Sequence, residues 1–245
     1  MANLLIDMGF DKEASNIDGL SVLSTALSHG QKAMSRILIN RGCKVTSESR
    51  YGYTPLHYAS RAGYVDLIKI LIDRGASVNK KATTGRTPLH DACYYGQAEA
   101  AEALIKHGKL SLRDISAKDK QQDTPLTLSF TRGALHVTLK LIDLGCDVRT
   151  TASINQVSPL YLACKYGHKQ TKMRLRLAEK SRESNIMKTF DQEASTERHK
   201  DWAVAIAMLK KGADVEFADE NGIGALHFAV ADRDVLMMFR DAKAN

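Results

Sequence analysis

A four-residue motif recurs along this chain at a near-constant interval. Thr54-Pro55-Leu56-His57 returns as Thr87-Pro88-Leu89-His90. Looser copies stand at Thr124-Pro125-Leu126-Thr127, Ser158-Pro159-Leu160-Tyr161 and Gly224-Ala225-Leu226-His227, and an eroded one at Ser21-Val22-Leu23-Ser24. Successive starts differ by 33, 33, 37, 34 and 66 residues. The last interval is two periods, so it predicts a degenerate repeat near Asp191 that lacks the motif. A second marker runs in phase: Gly75, Gly108 and Gly145 each fall 21 residues after the threonine of their repeat. Gly9, Gly42 and Gly212 extend that series. A fixed period carried by two markers confines the chain to stacked units, each too small to bury its own apolar face.

Each marker has a local physical reason. Threonine before proline is an N-cap followed by a residue that needs no N–H at the first helical position. The motif histidine is expected to bond locally and hold the turn. Gly63, Gly96, Gly133 and Gly167 follow about nine residues on, where a left-handed residue ends the first helix. Leu67, Ile68, Leu71 and Ile72 then repeat at helical spacing and predict a second, amphipathic helix ending at Gly75. Val78, Val148 and Val215 lead into an extended loop. One unit therefore reads helix, turn, helix, projecting loop.

This pattern resembles the ankyrin repeat family, most strongly over residues 50–167. The resemblance implies an all-α solenoid of stacked antiparallel helix pairs with projecting hairpin loops. Residues 1–245 read as one array, with repeats starting near 21, 54, 87, 124, 158, 191 (degenerate) and 224. Residues 1–20 read as the end of a preceding partial repeat, and both ends look cut. Stability in such arrays is carried by nearest-neighbour interfaces.

The pattern is disturbed in two places. The loop Leu110–Asp123 carries four residues beyond the period, including Lys118, Asp119 and Lys120. Insertions of this kind map to loops, either as a solvated tip or as part of a binding face. In 168–200, Lys172 and Arg176 replace the core positions of Ile68 and Ile72. Buried unpaired charges would be costly there, so a degenerate repeat with a shifted helix is expected, with an inserted segment as the alternative. Val204, Ala205, Met208 and Leu209 restore the core phase.

Residue chemistry argues against an enzyme. Cys93 and Cys164 share one slot of the first helix, and Cys43 and Cys146 take the place of Ala76 and Ala213. Four cysteines in alanine- or serine-like slots, with no C-x-x-C pair, predict neither zinc nor disulfides. They fit a reducing, cytoplasmic or nuclear location. No phosphate loop, nucleophile elbow or metalloprotease motif is present. Acidic residues read as scattered on exposed phases. No catalytic residue, metal or cofactor is expected. Composition is that of an ordinary globular chain, 44% apolar and 26% charged. No apolar run approaches the ~18–20 residues that cross a bilayer.

Function is then expected at the positions that do not repeat. By the resemblance, partners contact loop tips and the concave face of the first helices. Those positions hold Arg50, Tyr51, Tyr53, Tyr58, Arg61, Arg86, Tyr94, Tyr95, Arg132, Lys165 and Tyr166. Tyrosine and arginine are enriched at interface hot spots. With a formal net charge of +7, the expected partner is an acidic protein segment bound by a monomeric scaffold or adaptor. The alternative is the cytoplasmic ankyrin portion of a larger protein: a channel, a ubiquitin-ligase adaptor or an effector. Nucleic-acid binding rests only on the net charge and the Lys169–Arg182 cluster, and no nucleic-acid motif supports it. The resemblance also points to hydroxylation at Asn79, although Ser77 departs from that pattern.

Overall fold

The computed structural model describes residues 11–131, 134–148, 158–165, 202–215, 218, 222–230, 236–237 and 239–240. The chain divides into two compact units, Met1–Cys146 and Asp147–Asn245. The first unit contains α1 (Val22–Ser28), α2 (Lys32–Asn40), α3 (Pro55–Ala62), α4 (Val65–Asp73), α5 (Pro88–Tyr94), α6 (Ala98–His107), α7 (Leu112–Ile115), α8 (Pro125–Thr131) and α9 (Leu135–Asp143).

Four helix pairs stack in register. The first helices pack α1 on α3, α3 on α5 and α5 on α8; the second helices pack α2 on α4, α4 on α6 and α6 on α9. Leu23, Leu56, Leu89 and Leu126, all from the repeated motif, are buried between first helices. Leu38, Leu71, Leu104 and Leu141 do the same for the second helices. Removing each leucine from water contributes roughly 2 kcal/mol, so the repeated apolar positions are what hold the units together.

The motif closes its own helix and clips the next repeat. The Thr54 N–H donates to His57 Nδ1 at 3.1 Å, and His57 Nε2 lies 3.2 Å from the Arg86 carbonyl one repeat on. His90 repeats this with Thr87 at 3.2 Å and with the Ala117 carbonyl at 3.0 Å. Nδ1 accepts and Nε2–H donates, which assigns the neutral tautomer to both rings. The histidine therefore does more than the local bond expected of it. At Thr127 the hydroxyl accepts from the Thr124 N–H at 2.9 Å and serves only the local role.

Hairpin turns join the repeats along one edge. Ser49 N–H donates to the Tyr53 carbonyl and Gly52 N–H to the Ser49 carbonyl; Ala82–Arg86 and Asp119–Asp123 repeat the pair. This is a three-residue hairpin loop whose last residue is left-handed. Gly52 and Gly85 have φ of 72° and 82°, and Gln122 takes the position with φ 65°. Successive turns are hydrogen-bonded to one another: Arg50 N–H to Asp18 O at 2.7 Å, Thr83 N–H to Tyr51 O at 2.9 Å, Lys120 N–H to Thr84 O at 3.0 Å. A methyl group added at Gly85 would lie 2.7 Å from Lys120 N, so the turns stand shoulder to shoulder.

Gly108 caps α6 with φ −75°, and Lys109 takes the left-handed position at φ 51°. The long loop is not a bare solvated tip. It folds as α7, whose Ser111 hydroxyl accepts from Asp114 N–H at 3.2 Å, and it buries Ile115.

In the second unit, residues 159–165 and 202–210 are helical, as is Ala225–Ala229. Val204, Ala205, Met208 and Leu209 are buried as expected, together with Trp202. The Gly224 N–H donates to His227 Nδ1 at 2.9 Å, the motif bond without its threonine. Residues 236–237 and 239–240 are helical and Phe239 is buried. The degenerate repeat near Asp191, the 168–200 charge cluster and Gly9 lie outside the described residues.

Candidate functional site

Six of the expected partner-binding residues form one cluster over α3, α5 and their hairpins. The Arg61 guanidinium lies 4.1 Å from the Tyr53 ring centroid, 5.5 Å from Tyr58 and 5.7 Å from Tyr95. Tyr95 meets Tyr94 edge-on at 5.2 Å. Arg86 lies 4.7 Å from the Tyr94 ring. Tyr53 also meets His57 edge-on at 5.4 Å, so the cluster sits directly on the histidine clip. Cations over aromatic faces are held by the ring quadrupole, about 0.5–1 kcal/mol each when exposed.

Beneath the rings lie two acids that the sequence did not reveal. Asp91 is wholly buried and Asp119 nearly so, against the expectation that acidic residues stand on exposed phases. Arg61 Nε lies 3.2 Å from Asp91 Oδ2, and Arg86 Nε lies 3.3 Å from Asp119 Oδ2. The two pairs are built differently. Asp119 Oδ1 also accepts backbone N–H bonds from Gln121 at 2.8 Å and Asp123 at 3.0 Å. Asp91 Oδ2 and Arg61 Nε are close but poorly aligned for a hydrogen bond. Burial therefore prevails over the attraction of Arg61, and the Asp91 carboxyl is pushed up to about 6. Burial likewise raises the Tyr58 phenol and lowers His57 and His90 to about 4.

The remaining candidates separate from this cluster. Arg50 and Tyr51 are exposed at the tip of the second hairpin, with Tyr51 56% exposed. Lys165 belongs to the second unit, where its ammonium lies 5.5 Å from the Tyr161 ring. Arg132 and Tyr166 lie outside the described residues. Asn79 is exposed and lies near Asp114, whose carboxyl is held below its usual range mainly by Ser111.

The cysteines of all four slots are free and buried, and burial raises the Cys93 and Cys164 thiols, which leaves them poor nucleophiles. Among the described residues, no group of three or more His, Cys, Asp or Glu is placed to hold a metal ion. No described helix is long and apolar enough to cross a membrane.

One signal could have exposed the buried acids. Arg61 precedes Asp91 by 30 residues and Arg86 precedes Asp119 by 33, so each cation stands about one period before its counter-ion. Ile17 is 95% exposed on the first hairpin, which leads into the most eroded copy of the motif.

Comparison with curated proteins returns no match. A family model described as ankyrin repeats (3 copies) matches residues 1–82 and 78–152. It spans the four stacked helix pairs, their histidine clips and the hairpin edge, and the chain accordingly belongs to the ankyrin repeat family.

Proposed function

We propose that the chain is a protein-interaction scaffold whose partner docks on the tyrosine–arginine face of the first unit. Ankyrin repeats generally mediate protein–protein contacts and are typically non-enzymatic. The observation that carries the reading is the joined cluster Tyr53, Tyr58, Arg61, Arg86, Tyr94 and Tyr95. It is aromatic, cationic and partly exposed, the composition of an interface hot spot. Such rings offer large contact area with few torsions to freeze.

The partner is an acidic segment, but its carboxylates are not drawn to Arg61 and Arg86. Those two cations are already neutralised by Asp91 and Asp119. The charge complementarity comes from the hairpin tips, where Arg50, Lys81, Lys118 and Lys120 are exposed. The protein acts as a monomer inside the cell, a location supported by four free cysteines. Nucleic acid is not favoured, since paired arginines release few counterions from a phosphate backbone.

Site-specific photocrosslinking tests the face. A benzophenone side chain at Tyr95 is expected to capture a cellular protein, and one at Lys69, exposed on the second helix α4, to capture none. Capture at Lys69 with none at Tyr95 refutes the assignment. Replacing Tyr94 and Tyr95 with alanine should also release the captured protein while the helical circular dichroism is unchanged.

A further inference from the structure

The four hydrogen-bonded hairpins of the first unit form a continuous edge, and its character changes from one end to the other. The first hairpin presents Ile17, 95% exposed, and the second presents Tyr51, 56% exposed. These tips are adjacent, since Arg50 N–H donates to Asp18 O at 2.7 Å. The third tip presents Thr83 and Thr84, both exposed and uncharged. The fourth presents Lys120 beside Gln121, and Lys81 and Lys118 are exposed nearby, with Lys81 Nζ 3.4 Å from the Lys118 carbonyl.

The basic end is not balanced by neighbouring acids. Asp119 is buried and committed to Arg86, and Glu48 pairs with Lys80 at 2.6 Å. Asp123 is half-buried and accepts from the Thr127 hydroxyl at 3.4 Å. No described ion pair involves Lys81, Lys118 or Lys120. At the other end Asp18 and Arg50 flank the apolar tips and offset one another, so an acidic ligand gains little there. The edge thus carries an apolar tip, a neutral middle and a cationic end in a fixed order.

We propose that this edge is a polarised docking track for an extended protein segment with an apolar side chain at one end and a run of carboxylates at the other. The apolar side chain rests on Ile17 and Tyr51, and the carboxylates rest on Lys81, Lys118 and Lys120. This rests on the reading above that a protein partner binds the first unit. Spacing follows from geometry. Packed helices lie about 8–10 Å apart, so the three steps from Ile17 to Lys120 span roughly 25–30 Å. An extended chain covers about 3.3 Å per residue. The two recognition elements of the partner are therefore about eight residues apart. The apolar anchor supplies contact that salt does not screen, and the lysines supply order and encounter rate.

Fluorescence anisotropy of the full chain with synthetic peptides tests this. The first probe carries a Phe-Leu pair and four glutamates separated by six small neutral residues. The second has the same composition with the two elements adjacent, and the third replaces glutamate by lysine. The first is expected to bind at least tenfold more tightly than either control at physiological salt. The double variant I17S/Y51S and the triple variant K81E/K118E/K120E should each weaken it at least tenfold. All five positions are exposed, and unchanged thermal melts confirm folding. Equal binding of the first two probes, insensitivity to either variant, or no binding at 1 mM overturns the track. A partner still captured at Tyr95 in that case would leave the tyrosine–arginine face standing, so the two readings fail separately.

Discussion

The clips at His57 and His90 make stability acid-sensitive, and the size of the effect follows from their burial. Each ring accepts at Nδ1 from its threonine N–H and faces the next repeat's carbonyl through Nε2. Protonation would place an N–H against an N–H and a charge in the interior. Burial accordingly lowers both rings from 6.5 to about 4. The folded state then binds fewer protons than the unfolded chain between these values. The stability is fully present above about pH 6.5 and is lost as pH falls toward 4. Between pH 7.5 and 5 the linkage relation gives a loss of about 2 kcal/mol per ring, or about 4 for both. Asp91 works in the opposite sense. Its carboxyl, raised from 3.8 to about 6, makes the folded state bind more protons and gain about 1 kcal/mol over the same interval. Those three groups together predict a net loss of about 3 kcal/mol. The chain itself suggests the control, because Thr127 makes the local bond without a titrating ring. Urea unfolding followed by circular dichroism at pH 7.5 and 5.0 compares the native chain with H57T/H90T. The variant should be weaker at pH 7.5, having lost two bonds of about 1 kcal/mol each, but should gain slightly on acidification. Equal acid losses in both proteins, or an NMR titration placing either ring near 6.5, would refute the reasoning.

Arg61→Ala should cost about 3 kcal/mol in urea unfolding, since it strands the buried Asp91. Arg86→Ala should cost nearer 1, because Asp119 keeps two backbone donors; the reverse ranking would show that those donors do not matter. Gly85→Ala should destabilise by about 2 kcal/mol through its left-handed backbone and the approach to Lys120, as read from the urea midpoint. Gln122→Gly at the equivalent site should change stability by less than about 0.5 kcal/mol, the relief of strain being offset by unfolded-state entropy. Leu104→Ala, wholly buried between second helices, should cost about 2–5 kcal/mol in the same measurement.

The repeated features of the fold were legible because stacking imposes them on every unit alike. Thr54, Pro55 and Leu56 recur as Thr87, Pro88 and Leu89 since each unit must start the same helix against the same neighbour. His57 was legible as a local bond only. Its second bond goes to Arg86 O in the next unit, and a carbonyl acceptor leaves no mark on the residue that carries it. Lys109 shows the same blindness: it, and not Gly108, turns left-handed after α6, and nothing in the repeat pattern marks it. The candidate site was legible as a composition, tyrosine with arginine at variable phases, but not as an electrostatic object. Asp91 stands where the preceding repeat has Tyr58, and nothing local distinguishes an exposed acid from a counter-ion buried under the previous unit.

That difference changes what the surface can select. Read from sequence, Arg61 and Arg86 count as two cations facing a partner; with Asp91 and Asp119 behind them they form a neutral, polarisable floor on which tyrosine rings are fixed. A ligand carboxylate brought to Arg61 would have to compete with one already in place and desolvated. Shape and aromatic contact are then the terms that vary with the ligand on this face. The charge-dependent terms move to the hairpin edge, where Lys81, Lys118 and Lys120 stand in solvent and are screened by salt. Binding should therefore separate into a salt-insensitive part lost with Tyr94 and Tyr95 and a salt-sensitive part lost with the lysines. A partner whose whole affinity decays with ionic strength would contradict the neutral floor that the buried acids create.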